Sequence, residues 1–140
     1  MKSSLARSLC KRSIVINQKQ HKSGFIKLID KIKPQIKELA VADLNKKINN
    51  QDSFYLIDVR EQNEFQGGSI AHAIHLSKGI IERDIEKYIP DFEAEIVVYC
   101  SGGFRSCLAA DNLQKMGYRQ VASLQGGLRA WLEATYPLSK

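Results

Sequence analysis

The chain has 140 residues, 44 % of them hydrophobic and 26 % charged, the profile of one globular domain with a sizeable core. Its formal charge of +6 invites a nucleic-acid reading, but residues 1–29 hold seven Lys and Arg with no acid, whereas residues 30–140 hold fourteen basic against fifteen acidic side chains. A body without a basic stripe excludes a protein that tracks a phosphate backbone, and no uncharged apolar run approaches the roughly 18 residues of a membrane-spanning helix.

Residues 1–23 form a basic extension that contains Ser and Arg and lacks acids. Its longest apolar stretch, Ile14-Val15-Ile16, is too short for a secretory signal. A mitochondrial transit segment and a disordered basic extension of a cytoplasmic protein both fit, and the cytoplasmic reading is preferred. Phe25, Leu28, Ile29 and Ile32 recur at helical spacing and predict an amphipathic helix lying on the domain, limited by Pro34. Val41, Leu44 and Ile48 predict a second helix.

The run FYLIDV, residues 54–59, predicts a buried parallel strand. REQNEFQGGS, residues 60–69, is polar, closes on two glycines, and predicts a short helix and turn; IAHAIHL then supplies a brief strand and IIERDIEKYI a helix before Pro90. The run EIVVYC, residues 95–100, is short, β-branched and apolar, and is the clearest strand of the chain. Beyond it, Leu108, Leu113 and Met116 stripe a helix over residues 106–116, with Gly117 suited to the left-handed cap. QVASL and LRAWLEAT add a last strand and helix, with Gly126 and Gly127 turning between them. Strands alternating with helices imply a parallel sheet with helices on its faces, and ligands of such sheets sit beyond the carboxyl ends of the strands.

Cys100 stands at such an end. The loop that follows, Ser101, Gly102, Gly103, Phe104 and Arg105, leads into a helix whose first N–H groups lack carbonyl partners. Glycines there permit positive φ, so that successive N–H groups converge on a negative atom. An unperturbed thiol is only ~3 % ionised at neutral pH, and amides, a helix dipole and a guanidinium all favour the thiolate. A buried structural thiol is the plain alternative, but it explains neither the glycines nor the arginine. Cys10, Cys100 and Cys107 are too few and too oddly spaced for a disulfide framework. They form no zinc pattern either, which points to a reducing compartment.

CSGGFRS, residues 100–106, resembles the CxxGxRS loop of rhodanese-like sulfurtransferases. LIDVREQNEF resembles the DVRExxEF segment of that family, and LQGGLRAW its distal GGxxxW segment, so that the likeness spans roughly residues 36–138. The resemblance implies a rhodanese-like α/β domain over residues 24–140, with a parallel sheet of about five strands flanked by helices on both faces. It also implies a chemistry: Cys100 as nucleophile takes a sulfane sulfur from thiosulfate or a persulfide and passes it to a thiol, to cyanide or to a sulfur-relay protein. Ser101, Gly102, Gly103, Phe104, Arg105 and Ser106 then bind the anion, and Asp58 and Arg60 support the loop as an ion pair or turn contact, with Glu64 a candidate partner. No metal, organic cofactor, nucleic acid or membrane is implied.

Phosphatases of related architecture place five residues between cysteine and arginine where this chain has four, so loop length favours sulfur. A phosphatase-like or arsenate-reducing enzyme and a catalytically idle binding module are the rivals. The segment GSIAHAIHL departs from the family, with Ser69 where histidine is usual and His72 where glycine is usual. His72 and His75 are expected to be structural, Trp131 to be core, and Cys107 to pack, with a resolving role toward Cys100 as the alternative.

Overall fold

The computed structural model describes residues 23–139. The basic extension and Cys10 lie outside the described residues, except for Ser23. A helix, α1, runs Ser23–Ile32, as the spacing of its apolar residues predicts, and Pro34 falls in the 3-10 turn Lys33–Gln35 that follows. The compact unit begins at Ile32.

From there the elements alternate: β1 (Lys37–Leu39), α2 (Val41–Asn49), β2 (Tyr55–Asp58), α3 (Gln62–Gln66), β3 (Ile74–His75), α4 (Ile81–Tyr88), β4 (Glu95–Tyr99), α5 (Phe104–Met116), β5 (Gln120–Leu124) and α6 (Gly127–Glu133). The five strands form one sheet in the order β1-β5-β4-β2-β3, and every pairing is parallel. β4 is central, registered by Val98 against Ile57 of β2 and against Ser123 of β5.

Strand alternation sorts the side chains onto two faces. Leu56, Val97, Tyr99 and Leu124 share one core with Leu44 of α2 and with Leu128 and Trp131 of α6. The opposite set, Ile57, Ile96, Val98, Val121 and Ser123, is buried as well, and Ser123 bonds to side chains of α5. Both faces are therefore covered, which is why β4 is a continuous apolar run instead of an alternating one. Each fully buried Ile, Val or Tyr of that run contributes about 1.5–3 kcal/mol from leaving water.

Four of the five strands match apolar runs in the sequence. β1 does not: Lys-Glu-Leu has neither length nor pattern, and it forms because β5 offers it a free edge, with Glu38 registered on Ser123. Such a short, charged strand suits a sheet edge, where it discourages pairing with other chains.

Candidate functional site

β4 ends at Tyr99, so Cys100 leaves the sheet at its centre, flanked by β2 and β5. The helix after it starts at Phe104, two residues earlier than the apolar stripe suggests, with Gly103 as its N-cap at φ +98°. That earlier start puts Ser106 in the first turn, where N–H groups have no helical carbonyl to reach.

Two of the loop's amides take the Cys100 sulfur instead. Gly103 N–H donates to Sγ at 3.1 Å and Ser106 N–H at 3.4 Å, while the Ser106 hydroxyl stands 3.5 Å from the same atom. Cys100 is only 1 % exposed, yet its sulfur faces donors and is not sealed among aliphatic groups. Behind it, Ser106 Oγ lies 2.8 Å from Ser123 Oγ, and the Cys107 thiol donates to Ser123 Oγ at 3.8 Å. Cys107 is buried, and burial pushes its thiol upward in pKa.

The carbonyls of the loop are held from the other side. Leu128 N–H donates to Cys100 O at 2.8 Å and Arg129 N–H to Ser101 O at 2.9 Å, so the start of α6 turns these oxygens outward. Close approach makes this possible. A Cβ on Gly127 would stand 2.5 Å from Cys100 O, and one on Gly103 3.1 Å from Gly126 N. Gly126 and Gly127, at φ +74° and +59°, therefore serve both the tight turn and the cysteine loop.

Arg105 is engaged by a carboxylate. Its guanidinium holds Glu64 of α3 in a two-pronged pair at 2.9 and 3.2 Å. Glu64 Oε1 also accepts the Glu61 N–H at 2.9 Å. The Arg105 hydrogen bonds draw the Glu64 carboxyl down to a pKa of about 2, and the carboxylate in turn raises Arg105. Glu64, weighed in the sequence as a partner for Asp58 and Arg60, belongs to Arg105 instead. The cation that sequence reasoning missed is Arg129, exposed on α6, whose Nη1 would stand 3.7 Å from a Cβ on Gly102. Among the described residues Arg129 has no carboxylate within ion-pair distance. The GG turn two residues upstream was the available signal.

Asp58 and Arg60 form a buried pair, with Arg60 Nη2 2.7 Å from Asp58 Oδ2 and bonded at 2.7 Å to Gly68 O. They tie β2 to the turn after α3 and make no hydrogen bond to Cys100. His75 stacks on Phe65 at 4.7 Å and donates through Nε2 to Arg60 O at 2.7 Å, a structural role. His72 adopts φ +69°, so the conformation that suits the glycine usual in the family is kept here by a histidine. Ser69 exchanges backbone hydrogen bonds with Ser139 at 2.8 and 2.7 Å. Trp131 is core and donates its indole N–H to Pro137 O at 2.8 Å. No cluster of His, Cys, Asp and Glu among the described residues could hold a metal ion.

The chain as a whole is similar to several known proteins. YtwF of Bacillus subtilis, provisionally named a sulfurtransferase, is 37 % identical over 103 residues, 74 % of this chain and 97 % of that one. The thiosulfate sulfurtransferase GlpE of Coxiella burnetii is 35 % identical over 75 % of this chain and 92 % of its own. Among solved structures, a Rhodopseudomonas palustris protein described as a possible tyrosine phosphatase superposes with a TM-score of 0.73 at 26 % identity, covering 88 % of this chain and 100 % of its own. The rhodanese-like domain model matches residues 40–134, which takes in both strands that flank β4, the cysteine loop and the GG turn that clamps it. By fold, loop and kinship together, the chain belongs to the rhodanese-like domain family, at the level of sulfurtransferases.

Proposed function

We propose that the protein transfers a sulfane sulfur through a persulfide on Cys100. The Cys100 thiolate attacks the outer sulfur of thiosulfate; the new S–S bond forms as the bond to the sulfonate breaks, and sulfite leaves with that electron pair. A thiolate or cyanide then attacks the outer sulfur, departs with it, and returns Cys100 as thiolate. The charge to be stabilised is a single negative sulfur at each stage, and fixed amides aimed at it act without rearrangement.

The observation that carries this reading is the convergence of the Gly103 and Ser106 N–H groups on Cys100 Sγ, at 3.1 and 3.4 Å. With 1 % of Cys100 exposed, a single terminal sulfur suits the site better than a tetrahedral phosphate. The phosphatase reading draws on the Rhodopseudomonas palustris structure. Against it stand the four-residue interval from Cys100 to Arg105 and the engagement of Arg105 with Glu64, which takes up the end-on Nη1/Nη2 fork of that arginine. Arg129, at the rim beside Gly102, is the cation that draws an anionic donor.

Incubation with thiosulfate followed by intact-mass measurement is expected to add about 32 Da, one sulfur atom, that Cys100→Ser does not gain. Thiocyanate from thiosulfate and cyanide should appear with the wild type alone. Turnover of an aryl phosphate without sulfur uptake would establish the phosphatase, and no reaction with either would leave a binding module.

A further inference from the structure

Two sulfhydryls and two hydroxyls form one buried row: Cys100 Sγ to Ser106 Oγ at 3.5 Å, Ser106 Oγ to Ser123 Oγ at 2.8 Å, and Ser123 Oγ to Cys107 Sγ at 3.8 Å. Ser106 and Ser123 are fully buried, and each cysteine is 1 % exposed, so water does not compete along the row. Each of Ser106, Ser123 and Cys107 brings one hydrogen to donate. An ionised Cys100 can only accept, and this fixes every hydrogen: Ser106 donates to Cys100, Ser123 to Ser106, and Cys107 to Ser123.

We propose that Ser123 and Cys107 are positioning residues of the Cys100 thiolate, acting as a one-way hydrogen-bond relay that aligns the Ser106 hydroxyl toward Cys100 Sγ. The inference rests on the sulfur-transfer reading and assigns Cys107 neither packing alone nor a resolving role. Each link polarises the next, so the terminal thiol strengthens the hydrogen bond received by the sulfur three links away.

The row by itself would serve an anion at either end, since its hydrogens reverse together, and the surroundings of the two sulfurs make the choice. Cys100 has two backbone N–H donors in addition, whereas Cys107 has burial against its charged form. No proton crosses the relay; the hydrogens only take orientations, and the thiol proton of Cys100 leaves to solvent.

The charged groups that bear on the two sulfurs are Arg105 with its partner Glu64, Arg129 at the rim, and Glu38 and Lys33 on the Cys107 side. None of them changes in the variants that test the relay.

The pH profile of Cys100 alkylation by iodoacetamide, followed at that residue by peptide mass, reads the thiolate directly. In Ser123→Ala and in Cys107→Ala the midpoint is expected to rise by about half to one pH unit, about a 3- to 10-fold loss of alkylation rate below it. Cys107→Ser, which keeps a donor, should restore the wild-type midpoint although its volume is smaller, which a packing role alone would not do. Thermal unfolding of each variant separates a folding defect from a shifted midpoint. Wild-type midpoints in both alanine variants, with sulfur still loaded from thiosulfate, would overturn the relay and leave the transfer reading intact. Failure of the wild type to take up sulfur from any donor would overturn the transfer reading instead.

Discussion

Gly127 lies against the carbonyl of Cys100 so closely that a Cβ there would stand 2.5 Å from that oxygen and 2.7 Å from the Ser101 carbonyl. Both obstacles are backbone, which cannot swing aside as the end of a flexible side chain does. The same contact lets α6 hold those carbonyls outward, so the amides on the inner side of the loop remain for sulfur. Gly127→Ala is therefore expected to cost about 1–3 kcal/mol from its left-handed backbone, with the clash in addition. Persulfide formation should fall by about 100-fold or more, since each hydrogen-bond donor lost from a preorganised anion site costs about that much. Chemical denaturation and the rate of sulfur uptake measure the two effects.

The Glu64–Arg105 pair gives a dependence on pH whose sign is fixed. Arg105 holds the Glu64 carboxyl at about 2, below the ordinary glutamate value of about 4.3, so the native state binds the proton less readily than the unfolded chain does. The pair's contribution is fully present above about pH 4.3 and is lost as pH falls through about 2. Glu64→Gln should lower the melting temperature at pH 7, and the gap from wild type should narrow across that acid window. The variant also frees Arg105, so alkylation of Cys100 by anionic iodoacetate should accelerate relative to neutral iodoacetamide.

On the proposed function, Arg129 is expected to act on encounter and not on the bond-making step. Arg129→Gln should raise KM for thiosulfate by about 3- to 10-fold and leave kcat nearly unchanged, because an exposed cation beside Gly102 makes no hydrogen bond to the sulfur that reacts. Added salt should raise the wild-type KM toward that of the variant. An unchanged KM at low ionic strength would remove Arg129 from donor recruitment.

His72 at φ +69° carries the cost of a left-handed residue with a Cβ. Glycine there relieves that cost and adds entropy to the unfolded chain, a partial offset. His72→Gly is expected to stabilise the domain by roughly 0.5–1 kcal/mol, measurable by urea denaturation, with Cys100 chemistry untouched.

Local chemistry was legible in the sequence wherever one short segment decides it. The apolar run of β4, Gly103 after Cys100, and the cap at Gly117 each announce their conformation within a few residues, and the structure places them accordingly, whereas Gly102 does not take the positive φ expected of both loop glycines. What depends on distant partners was not legible. β1 exists only because β5 presents an edge, and Glu64 meets Arg105 across 41 residues of chain, so neither could be read from neighbours. The hydroxyl of Ser123 lay hidden for a different reason: in QVASL it occupies an inward-facing position of an apolar strand, where sequence alone offers no sign of its two polar partners.

The sheet order places β4 between two full-length neighbours, which ties the anchor of Cys100 to the interior of the whole domain. Edge strands breathe open on their own, but a middle one exchanges its amide hydrogens only when most of the molecule lets go. Val97, Val98 and Tyr99 should therefore be among the last amides to take up deuterium. Short of global unfolding, that strand keeps Cys100 registered beneath the Gly103 and Ser106 amides, so the thiol's place is set by the whole sheet and not by the loop alone.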